Sequence, residues 1–281
     1  MLSQKDFLEK FNIKIANFRK SGLAWSELVK IYNDYSGLQQ KFESAATYIT
    51  GKANQGPCIH VIKSRIKDSY HLIEKIIRHS IKKGTPYASL ENYRGVVTDL
   101  IGVRILHLFK DEWPQMHSFT EKEFTFKGKP EANVRITDSP ELIKQYKKGG
   151  CKIIDRDSGY TSIHYLAKVK LDREEYIAEI QIRTLFEEAW SEISHRITYP
   201  YITDHPIINN FTELSSQLAG QADEISMFAK LFQKELLLLQ ANAKKREIKK
   251  VREQIQEGKD RLALLAESLS KVALKIARNS S

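Results

Sequence analysis

Residues Ala178-Glu179-Ile180-Gln181-Ile182-Arg183 alternate apolar and polar without a break. In an extended strand successive side chains point to opposite faces, so Glu179, Gln181 and Arg183 share one side of a sheet and Ala178, Ile180 and Ile182 the other. Three hydrogen-bonding side chains in a row make a poor core and a good wall for a site that holds a metal ion and a phosphate. Taken alone, an edge strand with a solvated polar face is the simpler reading; the site reading gains its weight from other stretches.

Phe7, Leu8, Phe11, Ile15 and Phe18 fall at helical spacing, and Leu23, Leu28, Ile31 and Tyr35 resume it after a break at Ser21-Gly22, so residues 1 to about 50 read as helices. Gly51 to Pro57 reads as a loop and Ile59 to Ile62 as a short strand. A helix is expected from about Asp68 to Lys82, stopped by Lys83-Gly84-Thr85-Pro86. The middle is β-rich, with a buried strand over Leu100 to Phe109, shorter ones at 124–126, 134–136 and 151–154, and a hairpin of 163–171 and 176–183 around Asp172-Arg173-Glu174. A helix follows from Thr184 to about Thr198, ended by Pro200, and from about Phe211 to Arg278 the chain reads as helical throughout. The expected organisation is an N-terminal helical region (1–54), a central α+β domain (55–205) and a helical C-terminal extension (206–281).

Hydrophobic content of 41% and charged content of 28% over 281 residues suit one sizeable domain with additions. No apolar run reaches membrane-spanning length, and Met1-Leu2-Ser3-Gln4-Lys5-Asp6 lacks the apolar stretch of a signal peptide. Two cysteines, Cys58 and Cys151, fit a reducing compartment, so a cytoplasmic location is expected. A net charge of +10 favours a polyanion, nucleotide or RNA, without selecting one.

Asp99 stands where the chain enters the buried strand at Leu100. A carboxylate there is costly to bury unpaired, so it needs a cation or several donors. With Glu179 on a neighbouring strand it would form a two-carboxylate pocket for Mg²⁺, which keeps several waters and takes its other ligands from carboxylates and phosphates. A cap, or a pair with Arg104, accounts for Asp99 equally well. In Ser158-Gly159-Tyr160-Thr161-Ser162-Ile163-His164, a glycine before an aromatic residue lets the backbone turn and lays a ring across the site. Tyr160 would stack on a base, worth about 1–3 kcal/mol in nucleic-acid systems, or serve as a half-buried packing residue; His164 then lies on the strand that pairs with the Glu179 strand. Arg65 and Lys67, just ahead of a helix N-terminus, suit a polyphosphate, because the free N–H groups and the dipole of the helix add to their charge. A basic helix entrance at the surface is the plainer account.

Arg65-Ile66-Lys67, Asp99-Leu100-Ile101-Gly102-Val103-Arg104-Ile105, Gly159-Tyr160-Thr161-Ser162-Ile163-His164 and Glu179-Ile180-Gln181-Ile182-Arg183-Thr184, followed by Trp190 and His195, together resemble the synthetase domain of the RelA/SpoT family over about residues 55–205. No His-Asp dipeptide occurs, so the metal-dependent hydrolase domain of that family looks absent, and the flanking helices are similar to those of its small single-domain members. The resemblance implies an α+β fold, a nucleotidyltransferase-like mixed β-sheet flanked by helices, with a helical C-terminal extension. It implies Mg²⁺-dependent transfer of the β,γ-pyrophosphate of ATP to the 3′-hydroxyl of GDP or GTP, giving the alarmone (p)ppGpp and AMP. In that scheme Asp99 holds the metal, and Glu179 shares it or takes the hydroxyl proton. Arg65 and Arg104 sandwich the adenine, and Lys67 and His71 lie near the ATP phosphates. Tyr160 stacks on the acceptor base, while His164, Gln181, Arg183, Lys152 and Arg156 orient the acceptor and its phosphates.

Thr161 stands where the family usually has a basic residue, and Ser194-His195 where many members have Glu-His. The loop from Lys152 to Ser158 sets Lys152 and Arg156 against Asp155 and Asp157. A 5′-di- or triphosphate calls for more positive charge than that. These departures bear on the acceptor. The resemblance extends to toxic members that place pyrophosphate on the 3′-CCA end of tRNA, for which an antitoxin protein would be a partner; adenine nucleotides are a third acceptor. A non-catalytic nucleotide sensor and a structural RNA-binding protein are readings of a different class. The long helical C-terminus is compatible with a homo-oligomer, and its charged stretch from Lys244 to Arg261 reads as a solvated helix or helical hairpin.

Overall fold

The alternating segment is an inner strand of a mixed sheet in a computed structural model of the chain, which describes residues 1–156, 159–171, 173–198 and 206–279. The strands are β1 (Val61–Ile66), β2 (Ile101–His107), β3 (Thr125–Phe126), β4 (Glu131–Val134), β5 (Lys152–Asp155), β6 (Ser162–Leu171) and β7 (Glu174–Thr184). Their order is β1-β2-β7-β6-β4-β5, and β3 pairs with β6. β2 runs parallel to β7, and β4 to β5; the other neighbours are antiparallel. The β6–β7 hairpin forms as the sequence predicts, with Arg173 at φ +70° in its turn; Asp172 lies outside the described residues.

The helices are α1 (Gln4–Lys10), α2 (Ile15–Lys20), α3 (Trp25–Gly37), α4 (Gln39–Ala53), α5 (Ser69–Lys83), α6 (Tyr93–Val96), α7 (Trp113–Glu123), α8 (Pro140–Lys148), α9 (Leu185–Thr198) and α10 (Pro206–Asn279). The fold class is therefore α+β, a mixed sheet flanked by helices with a long C-terminal helix. The apolar face of the sheet carries Val103 and Ile105 on β2, Ala178, Ile180 and Ile182 on β7, and Ile163, Tyr165 and Ala167 on β6, all buried. Helix α4 lies against β1, β2, β6 and β7 and brings Phe42, Ala45, Ala46 and Ile49 into the same core. Burying that face leaves the opposite one to carry polar chemistry.

Several boundaries differ from the sequence reading. Helix α4 runs on to Ala53, into the expected loop, because Ile49 and Ala53 complete its buried stripe. β1 begins at Val61 rather than Ile59 and continues to Ile66, so Arg65 lies in the strand. The strand expected at 134–136 sits at 131–134, and α7 and α8 were not legible in the periodicity. Pro200 lies outside the described residues. By contacts the chain divides into two compact units, 1–227 and 228–281. The first contains the whole sheet, α1 to α9 and the start of α10; the second is the remainder of α10. Both cysteines are free thiols. Among the described residues no helix is long and apolar enough to cross a membrane.

Candidate active site

Pairing across strands assembles a polar row that the chain order hides. Lys63, Arg104, Gln181, His164, Glu131 and Lys152 are successive register partners across β1, β2, β7, β6, β4 and β5. In the row beside it Arg65 pairs with Gly102, Gly102 with Glu179, and Glu179 with Leu166. Directly paired residues share a face, so Arg65, Arg104, Glu179, Gln181, His164 and Lys152 all face one way. Gly102 is the gap in this face: a Cβ there would meet the Arg65 side chain at 3.4 Å.

At one end of the site Asp99, just before β2, lies between two lysines. Lys67 Nζ is 2.9 Å from its Oδ2 and Lys75 Nζ 2.9 Å from its Oδ1. Burial pushes the Asp99 carboxyl up, but the two ammonium groups outweigh it and hold the carboxyl down to about 2. Lys67 in turn is lowered by burial against the attraction of Asp99. These contacts correct two sequence expectations. Asp99 does not pair with Arg104, which instead donates to Glu188 on α9 at 3.0 Å and also contacts Glu192. At the α5 N-terminus two of the N–H groups expected to be free for a phosphate are taken: Asp68 is the N-cap and accepts from the N–H groups of Tyr70 and His71 at 2.9 and 3.0 Å. Arg65 is exposed on β1, and His71, on the first turn of α5, lies 3.4 Å from Asp68.

At the other end Glu179 Oε2 accepts from Gln181 Nε2 at 2.6 Å, and Oε1 lies 3.1 Å from His164 Nδ1. Burial raises the Glu179 carboxyl and the nearby Asp99 charge adds to this, yet the His164 and Gln181 contacts prevail and leave it below its ordinary value. The far ring nitrogen of His164 meets the Tyr160 hydroxyl at 3.0 Å and the Ser162 hydroxyl at 2.7 Å. Arg183 lies over the Tyr160 ring at 5.5 Å and donates to Gln181 at 3.0 Å. Glu179, His164, Tyr160, Gln181 and Arg183 are thus one connected network. Lys152 pairs with Glu131 at 3.2 Å, and Arg156 donates to Asn133 at 2.6 Å, which turns both toward the β4–β5 edge. Asp157 and Ser158 lie outside the described residues.

Sequence reasoning missed three groups. Lys75 falls one helical turn after His71 on α5, a spacing that could have flagged it. Glu188 and Glu192 gather Arg104, with Arg183 at 2.9 Å and Lys63 at 3.5 Å also on Glu188; their i,i+4 spacing on α9 was the available signal. The turn Lys127-Gly128-Lys129 between β3 and β4 was the third, a basic turn with Gly128 at φ +86°. It lines a cleft of about 540 Å³ together with Thr98, Lys152, His164 and Glu179. Trp190, which the sequence placed on the helix after the strand, is buried there and donates to the Thr212 carbonyl of α10 at 3.0 Å, so it joins two helices. A larger hollow of 1020 Å³ lies at α1 and α2 and holds none of these residues.

The geometry concentrates ionised carboxylates, cations and a ring at one sheet face, which suits binding and polarising an anionic substrate. Residues 64–204 match the model for the region found in RelA / SpoT proteins. GTP pyrophosphokinase YjbM of Bacillus subtilis (strain 168) is 26% identical over 194 residues, 66% of this chain and 79% of that protein. GTP pyrophosphokinase YwaC of the same organism is 28% identical over 149 residues, 51% of this chain and 60% of that protein. Among solved structures, a GTP pyrophosphokinase family protein from Streptococcus pneumoniae is 22% identical, with 75% of this chain and 95% of that one covered at a TM-score of 0.47.

Proposed function

The chain belongs to the RelA/SpoT family, and from that premise we propose that it transfers the β,γ-pyrophosphate of ATP to the 3′-hydroxyl of GDP or GTP, making (p)ppGpp. At family level it is a pyrophosphotransferase. The observation that carries the finer reading is the network in which Glu179 is held ionised by His164 and Gln181 on the face where Tyr160 and three lysines gather. An ionised carboxylate beside the acceptor is suited to take the proton of a sugar hydroxyl as it attacks. Transfer of this type needs alignment and charge neutralisation more than covalent help.

The residues present fit a magnesium ion. Asp99 and Glu179 are hard oxygen donors held ionised, the type magnesium takes, and each would exchange its present contacts, with Lys67 and Lys75 or with Gln181 and His164, for the ion. Bound there with the ATP phosphates, Mg²⁺ would neutralise charge developing on the transferred group. Lys67 and Lys75 sit beside Asp99 as cations that a polyphosphate would share. In this reading Arg65 and Arg104 would hold the adenine, Arg104 on leaving Glu188 and Glu192, and Tyr160, with Arg183 over its ring, would stack on the acceptor base. Lys127 and Lys129 line the same cleft as Lys152, Glu131 and Glu179. Lys127 Nζ donates to the Gly95 carbonyl at 2.9 Å and Lys152 pairs with Glu131 at 3.2 Å, so in this reading a 5′-di- or triphosphate on the acceptor would draw these lysines from those partners.

Incubation with Mg²⁺ and γ-labelled ATP, offering GDP, GTP, ATP or bulk tRNA, tests this directly. Label in a guanosine product is the expected result. Label on tRNA would move the activity to the toxic branch, label on an adenine nucleotide would replace the base, and transfer to none would leave a nucleotide sensor.

A further inference from the structure

Behind the Tyr160 turn lies a buried ionic cluster that the reaction itself does not use. Arg135, Asp138, Glu187 and Asp223 are each less than a tenth exposed, and they come from the segment after β4, from α9 and from α10. Arg135 contacts Glu187 through Nη2 and donates through Nη1 to the Ser216 carbonyl at 2.9 Å. Its backbone N–H donates to Asp138 at 3.0 Å. Lys110 adds contacts of 3.4 Å to Asp138 and 3.8 Å to Asp223, and Thr184 donates to Asp223 at 2.9 Å.

This cluster reaches Tyr160 from both sides. The Ser216 hydroxyl donates to the Gly159 carbonyl at 2.8 Å, and the Thr161 hydroxyl donates to Asp138 at 3.4 Å. Gly159 has φ +71°, and a Cβ on it would collide with Ser216. A Cβ at Gly220, one turn along α10, would collide with the Arg135 guanidinium. The close approach of α10 to the turn therefore relies on small residues on both sides. Thr161, which stands where the family usually has a basic residue, has a physical role here as a buried tether.

We propose that Ser216 and Thr161 are positioning residues that set the Tyr160 ring for the acceptor base, and that the start of α10 is thereby part of the acceptor site. The proposal rests on the reading of Tyr160 as the stacking residue. Neither side chain reaches the reacting atoms; each acts by restricting the backbone on one side of Tyr160. Fixing a ring in its stacking pose removes an ordering cost from binding.

The test compares Ser216→Ala and Thr161→Val, which delete a hydroxyl at nearly constant volume, with Thr161→Ser, which keeps it. Loss of the hydrogen bond should raise KM for the acceptor by about three- to tenfold, with KM for ATP unchanged, the melting temperature lowered by no more than a few degrees, and Thr161→Ser close to wild type. Amide hydrogen exchange over residues 159–163 should quicken in Ser216→Ala and Thr161→Val whether or not an acceptor is present. Unchanged exchange would overturn the tether regardless of activity. Faster exchange with an unaltered acceptor KM would overturn the positioning role. If the wild type transferred to no acceptor while exchange still responded, the functional reading would be the part that failed, and the acceptor role would fall with it.

Discussion

Asp99 and Glu187 are both carboxylates removed from solvent and set beside cations, yet Asp99 is held down to about 2 and Glu187 is pushed up to about 7. Asp99 lies between two ammonium groups, which outweigh its burial. Glu187 is more deeply buried and shares Arg135 and Lys110 with two further carboxylates, Asp223 and Asp138, whose charges oppose its ionisation. Burial raises both; the ratio of acids to bases around each decides the sign. The site cluster is built to stay charged for a ligand, whereas the cluster behind it sits close to neutrality as a structural joint.

The comparison breaks hardest at the site. Asp99→Asn and Glu179→Gln should each lower pyrophosphate transfer by roughly 100- to 1,000-fold. Asp99→Asn should also lower stability, because it leaves Lys67 and Lys75 without their carboxylate, so its folding is checked by circular dichroism, and retained turnover in both would remove the two-carboxylate site. Next in size is Arg135→Ala. Removing one partner of a buried ionic cluster costs about 3–5 kcal/mol, and urea unfolding should show it, whereas Lys75→Ala should cost about 1 kcal/mol or less because Lys67 still faces Asp99. Equal losses would mean that the two clusters do not differ in kind.

Glu187 adds a pH signature. Its folded value of about 7 lies above the ordinary 4.5, so the folded state binds the proton more tightly. The stability this supplies is complete below about pH 4.5 and is lost as pH rises through about 7. Relative to Glu187→Gln, the wild type should therefore lose on the order of 3 kcal/mol between pH 5 and 8; parallel profiles would refute the raised value. The smallest effect belongs to the basic turn. Replacing Lys127 and Lys129 by alanine should raise KM for GTP by several-fold, less at high salt, with little change in KM for ATP. An equal rise for ATP would place that turn at the donor.

Much of the site was legible because strand alternation is local. Glu179, Gln181 and Arg183 share a face for the same reason that Ile180 and Ile182 share the other, and no partner strand is needed to see it. His164 followed from the hairpin, whose turn lies within a few residues of both strands. Lys127 and Lys129 were missed for the opposite reason: the His164 and Glu179 they join at the cleft lie more than thirty residues away in sequence. At the α5 entrance the sequence drew attention to Arg65 and Lys67, while Asp68 caps the helix and takes two of its free N–H groups, those of Tyr70 and His71.

The amino-acid order alone determined which residues could share a strand face, since the two-residue period of an extended chain is set by covalent geometry. It also determined the family motifs that ride on that period. Only the tertiary structure decided which charge meets which: that Asp99 answers to Lys67 and Lys75, that Arg104 turns to Glu188, and that Ser216 on α10 closes on Gly159. Those pairings join segments up to 84 residues apart, and they exist only once burial of the apolar sheet face has brought the segments together.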